Sequence, residues 1–188
     1  MTWLVVGVSA FCVIHLFPAA LPGCHDQLEK KLGENPYRGI FSLFIIGSLI
    51  LIVVGWKSAV PTAVYQPPMG PGVVSSLLIL IGFVLFVAAQ VPGNLKRLIR
   101  HPQMTGTLCW GVAHLLTNGD SRSLTLFGGL TAWAVLEILL INRRDGSWKK
   151  PAAAPVRLDI ITVVIAIVAF AAVAYFHASL FGVAPVPA

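Results

Sequence analysis

At 188 residues the chain has the length of one ordinary domain, and a net charge of +6 would suit a nucleic-acid partner. The rest of the composition excludes that class: 57% of the residues are apolar and only 11% are charged, against about 45–50% and about 25% in soluble domains. Three cysteines cannot frame a disulfide scaffold, and a disordered chain carries far less apolar content, so the fold expected is all-α, a polytopic membrane bundle.

A helix that crosses a bilayer needs about 20 mostly apolar residues. Such runs occur in chain order at 3–21, 38–56, 73–91, 102–117, 123–141 and 158–181. The fourth is the weakest, being short and carrying Gly106, Gly111 and His114. Turn-rich stretches at 66–72 (QPPMGPG) and 91–94 (VPGN) separate the runs. Six spans joined by short connections leave no room for a second domain, so residues 1–188 are expected to form one transmembrane domain.

The basic residues orient these spans. Lys30, Lys31 and Arg38 lie between the first and second runs. Lys96, Arg97 and Arg100 occupy the third connection, and Arg143, Arg144, Lys149, Lys150 and Arg157 the fifth. Those odd connections hold eleven of the 13 basic residues, leaving Lys57 and Arg122 for the others. The positive-inside rule then puts the odd connections in the cytoplasm and both termini on the non-cytoplasmic side. No basic segment precedes the first run, so it reads as a span and not as a signal peptide. Leu21-Pro22-Gly23-Cys24 is only a faint lipoprotein box, and Cys12, Cys24 and Cys109 are expected as free thiols.

Ionisable side chains inside a bilayer cost free energy and are functional candidates for that reason. His15 shares a helix face with Gly7 and Phe11 at i, i+4 spacing and lies roughly 10 Å from the cytoplasmic end at 1.5 Å per residue. His114 lies roughly 18 Å into the fourth run. Two neutral imidazoles from two helices at similar depth are what a bis-histidine b-type haem needs; interhelical hydrogen bonding is the alternative use of the same residues. His101 precedes Pro102, which suits the start of a helix. There it joins Lys96, Arg97 and Arg100 at the positive end of the helix dipole, where they form either an anion site or an interfacial anchor. Glu137 is the one acid at membrane depth; it is expected either to orient a ligating imidazole or to pair with Arg38 or Arg143. His177 is expected at the interface, far in depth from the other histidines. No phosphate loop, Cys-x-x-Cys, His-Glu-x-x-His or nucleophile elbow is present. Thr117-Asn118-Gly119-Asp120 reads as a glycine turn that ends a helix.

His101-Pro102-Gln103, Gly106, Trp110, Ala113-His114-Leu115-Leu116, Asn118-Gly119-Asp120 and Leu126-Phe127-Gly128 together resemble the NnrU family of bacterial membrane proteins. His15, the run Leu32-Gly33-Glu34-Asn35-Pro36-Tyr37-Arg38-Gly39, and Pro92-Gly93 with Lys96 and Arg97 extend the likeness. The motifs cover about residues 1–145; the last run, at 158–181, carries none. The resemblance implies a multi-pass protein of the bacterial inner membrane associated with nitrogen-oxide metabolism. It also implies kinship with the ζ-carotene isomerases, b-haem membrane enzymes whose haem-ligand positions fall on His15 and His114. Where those enzymes carry a cysteine three residues before the second histidine, this chain has Gly111, with Cys109 two positions earlier.

Three functions follow as expectations. In the first, haem b (iron) is bound between the first and fourth spans by His15 and His114, with His101, Arg100, Trp110 and Glu137 around it, in support of nitrogen-oxide reduction (denitrification). The second is a haem-dependent cis–trans isomerase of a carotenoid-like polyene, with Phe11, Trp110 and Trp133 lining an apolar pocket. The third is a haem-free membrane scaffold or assembly factor. The expected partners are membrane lipid and a lipid-soluble substrate or redox partner, and no nucleic acid.

Overall fold

The apolar runs all become helices in the computed structural model, which describes residues 1–70, 72–183 and 185. Pro71, part of the turn expected at 66–72, lies outside those residues. In chain order the helices are α1 Thr2–Ala20, α2 Pro22–Leu32, α3 Glu34–Ser58, α4 Val73–Gln90, α5 Pro102–Thr117, α6 Ser121–Asp145 and α7 Val156–Phe181. Among the described residues there is no strand, only an isolated bridge between Ala63 and Asp120.

Five of the helices, α1, α3, α4, α6 and α7, are long and apolar enough to cross a membrane. Their outward faces stay apolar: Leu43 is 69% exposed and Val168 64%. Apolar surface on that scale is stable in lipid and a liability in water, so the architecture is that of a multi-pass membrane protein. The fourth expected span differs from the rest. As α5 it has 16 residues, about 24 Å of helix, short of the roughly 30 Å hydrocarbon core.

The connection expected at 22–37 contains a helix of its own. Pro22 opens α2, Lys30 and Lys31 lie in its last turn beside the negative end of its dipole, and Gly33 closes it at φ +85°. None of its residues is buried, which is why apolar patterning does not reveal it. Glu34 then starts α3 and pairs with Arg38 one turn on, at 2.6 Å.

The helices sort into two compact units. Met1–Gln66 and Gly119–Gly146 form unit one, with α1, α2, α3 and α6. Pro67–Asn118 and the chain from Ser147 form unit two, with α4, α5 and α7. In unit one α1 packs along both α3 and α6. Leu4, Val8 and Ile52 form the buried core, flanked by Phe11, Cys12, Trp56 and Leu126. The backbones of α1 and α3 nearly touch at two glycines. A Cβ on Gly7 would stand 2.7 Å from the Ile52 nitrogen; one on Gly55 would run into the Leu4 backbone and stand 2.7 Å from the Trp3 carbonyl carbon. Small residues at such crossings let helices pack closely where lipid removes the hydrophobic drive.

The segment 117–120 does not end α5 with a left-handed glycine: Asn118 is extended, and Gly119 is not among the positive-φ residues. Instead the Gly119 carbonyl accepts from the Val64 and Tyr65 amides, and Asp120 caps α6, its carboxylate accepting from the Arg122 and Ser123 amides at 3.0 Å. Leu124–Gly128 is a π-helical turn within α6, one residue more than an α-helix would use.

In unit two, α4 and α5 cross at another glycine pair. A Cβ on Gly106 would lie 2.9 Å from the Gly82 carbonyl oxygen, and one on Gly82 3.1 Å from that of Gly106. The α7 helix packs on α4, with Phe83 and Phe170 edge to face at 6.0 Å. At its start, Asp159 accepts from the Asn94 amide at 2.7 Å and the Asn94 side chain at 2.6 Å. Asn94 also pairs with both backbone groups of Ala154.

Candidate functional site

His15 in unit one and His114 in unit two are held the same way. His15 Nδ1 lies 2.8 Å from the Phe11 carbonyl, and His114 Nδ1 lies 2.8 Å from the Trp110 carbonyl. A carbonyl only accepts, so Nδ1 carries the proton in both rings and the lone pair resides on Nε2. A metal-binding imidazole is prepared in this way, with one nitrogen anchored and the other basic. Helix geometry makes the anchor local, because the carbonyl four residues back lies beneath the side chain.

Aromatic rings wall His15. Phe11 stacks on it at a 4.0 Å centroid distance, while Trp133 of α6 at 5.3 Å and Phe41 of α3 at 6.0 Å approach edge-on. Phe11 and Trp133 are themselves T-shaped at 5.3 Å. On α6, Trp133 Nε1 and Glu137 Oε2, one turn apart, are both buried and face each other without a well-formed hydrogen bond; Arg122 Nε and Thr131 Oγ1 of the same helix are also buried without one. An apolar aromatic wall and an imidazole with a basic Nε2 fit one side of a haem and its surroundings. In unit two, Trp110 lies tilted against His114 at 5.1 Å, so the residue pair aromatic-x-x-x-His recurs.

The other candidates fall as follows. Glu137 does not pair with Arg38 or Arg143, for Arg38 is taken by Glu34 and no ion pair of Arg143 occurs among the described residues. The cation within reach of Glu137 is Arg144, whose short contact at 2.8 Å is to Asp145. Register explains the shift: Glu137 faces its own helix's Trp133, not the loop arginines. His101 is the residue preceding α5, with Pro102 in the first turn as its sequence implies. Its side chain makes no capping bond; its carbonyl instead accepts from the Thr105 hydroxyl. His101 and Arg100 are half-buried in unit two. His177 is exposed, with Nδ1 2.6 Å from the Val183 carbonyl, yet it lies within electrostatic reach of His114, nearer than its depth along the sequence implies.

Tyr37 and Phe41 were not apparent as site residues from sequence. Their i, i+4 spacing on α3 was the available signal, and it is indistinguishable from a lipid-facing stripe. Outside the spans, burial acts to raise the pKa of the Asp120 carboxyl. The bonds from Ser123 and Arg122, and the Arg122 charge, outweigh it and hold the carboxyl below its ordinary value.

No curated protein matches the chain, and no solved structure does. The sequence model of the NnrU protein family matches residues 3–185, nearly the whole length. The chain therefore belongs to the NnrU family.

Proposed function

We propose that this chain is a six-span protein of the bacterial inner membrane, termini on the non-cytoplasmic side, that binds haem b in support of nitrogen-oxide metabolism. His15 and His114 would hold the haem through Nε2. The observation that carries the reading is the twice-built anchor, in which Nδ1 of each histidine is tied at 2.8 Å to the carbonyl of an aromatic residue four positions earlier. When bound, haem b supplies one-electron chemistry and affinity for nitric oxide. The residues of the chain do the rest. Phe11, Phe41 and Trp133 wall the His15 ring and fix its orientation, and Trp133 Nε1 and, one turn on, Glu137 lie along the same helix. The nitrogen-oxide role rests on the family likeness, and the loop charges support the orientation.

The test is an absorption spectrum of the purified full-length protein, with haem supplied during expression, taken oxidised and then dithionite-reduced. A Soret band and the sharp reduced bands of six-coordinate bis-histidine haem are expected. His15→Ala and His114→Ala should each lose most of the haem, and Leu43→Ala, on an exposed face, should lose none. A wild-type protein without a Soret band, or two histidine variants that retain haem as wild type does, would overturn the proposal.

A further inference from the structure

Away from the membrane histidines, α2 carries His25, Asp26 and Glu29, and one donor atom from each lies within 4.8 Å of the other two. His25 Nδ1 and Asp26 Oδ1 are 3.0 Å apart. That contact is a hydrogen bond from the imidazole N–H to the carboxylate; donors about 2.0–2.2 Å from a shared ion stand about 3.0–3.5 Å apart, so an ion that takes the place of the Nδ1 proton finds the two groups at a suitable separation. Glu29 follows His25 by one helical turn and shares its face.

Charged groups on an exposed helix cluster for many reasons, and the independent sign of a ligand comes from α3. The turn at Gly33 folds the first turn of α3 back against α2, which sets Tyr37 edge-on to the His25 ring at 5.1 Å and 87°. Tyr37 is only 8% exposed, and its hydroxyl is buried with no hydrogen-bond partner. That hydroxyl is within electrostatic reach of Glu29. A buried hydroxyl left unpaired is costly, and the cluster next to it consists of metal-ligating groups.

We propose that His25, Asp26 and Glu29 bind one divalent first-row transition-metal ion, with the Tyr37 hydroxyl hydrogen-bonded to the ion's carboxylate or water ligands. One imidazole and two carboxylates suit zinc, manganese or ferrous iron better than calcium, which takes oxygen ligands in larger number. The ion ties α2 to α3 across the Gly33 turn. It is independent of the haem proposal, since it uses neither His15 nor His114.

The experiment is calorimetric titration of the full-length protein in detergent with zinc chloride alone at pH 7, repeated with excess magnesium present. Saturable uptake of zinc that magnesium does not displace is expected. His25→Ala and Glu29→Gln should each weaken it about tenfold or more, the range seen when a metal site loses a supporting group. Tyr37→Phe, which removes only the hydroxyl, should weaken it severalfold, and Cys24→Ser should leave it unchanged. Glu29→Gln keeps the shape of a surface side chain, so its far-UV spectrum should match wild type. Absence of saturable zinc binding in wild type, wild-type affinity in both His25→Ala and Glu29→Gln, or loss of binding in Cys24→Ser alone would overturn the proposal.

Discussion

Replacing Gly55 by alanine puts a methyl group into the backbone of α1. The new Cβ would collide with Leu4 and stand 2.7 Å from the Trp3 carbonyl carbon, and none of these atoms can rotate out of the way as a side chain would. Gly47 lies on the same helix, and a Cβ there meets nothing within 4 Å. Both substitutions gain the same helix propensity, about 0.8–1.0 kcal/mol. They differ only in the overpacking term, about 1–3 kcal/mol at a tight contact. Gly47→Ala should therefore be neutral to stabilising, with Gly55→Ala about 1–3 kcal/mol below it. At about 2–4 °C per kcal/mol for a chain of this size, the two melting temperatures should differ by several degrees. Thermal unfolding of both variants in one detergent, followed by far-UV circular dichroism, measures the gap. Equal melting temperatures, or a Gly55→Ala protein that outlasts Gly47→Ala, would refute the close crossing of α1 and α3.

Further outcomes follow from the other contacts. Asp120→Ala removes the cap of α6 and should cost about 0.5–2 kcal/mol of stability, read from the same melting assay. Because the Asp120 carboxyl is held below its ordinary value of 3.8, its contribution is complete above about that pH and is lost as the pH falls through the lower folded value; melts from pH 7 to pH 2 should show that loss in wild type and not in Asp120→Ala. Asn94→Ala breaks the pairing with Ala154 and Asp159 and should speed trypsin cleavage after Lys149, followed by gel electrophoresis. Deleting Thr125 from the π turn should be tolerated, since it restores an ordinary helix. Deleting Thr131, beyond that turn, should rotate Trp133 and Glu137 by about 100° and lower both melting temperature and haem content.

Most helix positions were legible because lipid-exposed helices are apolar all round, so even crude hydropathy finds them. The start of α5 was legible at Pro102. The pairing of helices was not. A residue facing lipid and one facing a neighbouring helix are both apolar, so nothing in the runs themselves marks α6 as the partner of α1. The glycines Gly7, Gly55, Gly82 and Gly106 mark the crossings, but each needs its partner in view to be interpreted. His15 and His114 stood out because a titratable ring in hydrocarbon has to be accounted for. Their shared tautomer became visible only with coordinates, and Trp133, Phe41 and Tyr37 blended into an aromatic-rich chain. The α2 helix escaped notice because it buries nothing.

The two units take their helices in interleaved order: unit one receives α1 to α3, unit two α4 and α5, then each receives one more. Synthesis runs from the N-terminus, so this order sets a timetable for insertion. When α3 leaves the ribosome, the face of α1 that will meet Trp133 is still bare, and it stays so while α4 and α5 are made. Unit one closes only when α6 arrives, and unit two waits for α7. During that interval the ring of His15 lacks its Trp133 wall. Any group that must seat beside His15 therefore has a period of open access before α6 arrives, and a ribosome paused between the codons for Asn118 and Asp145 would prolong it.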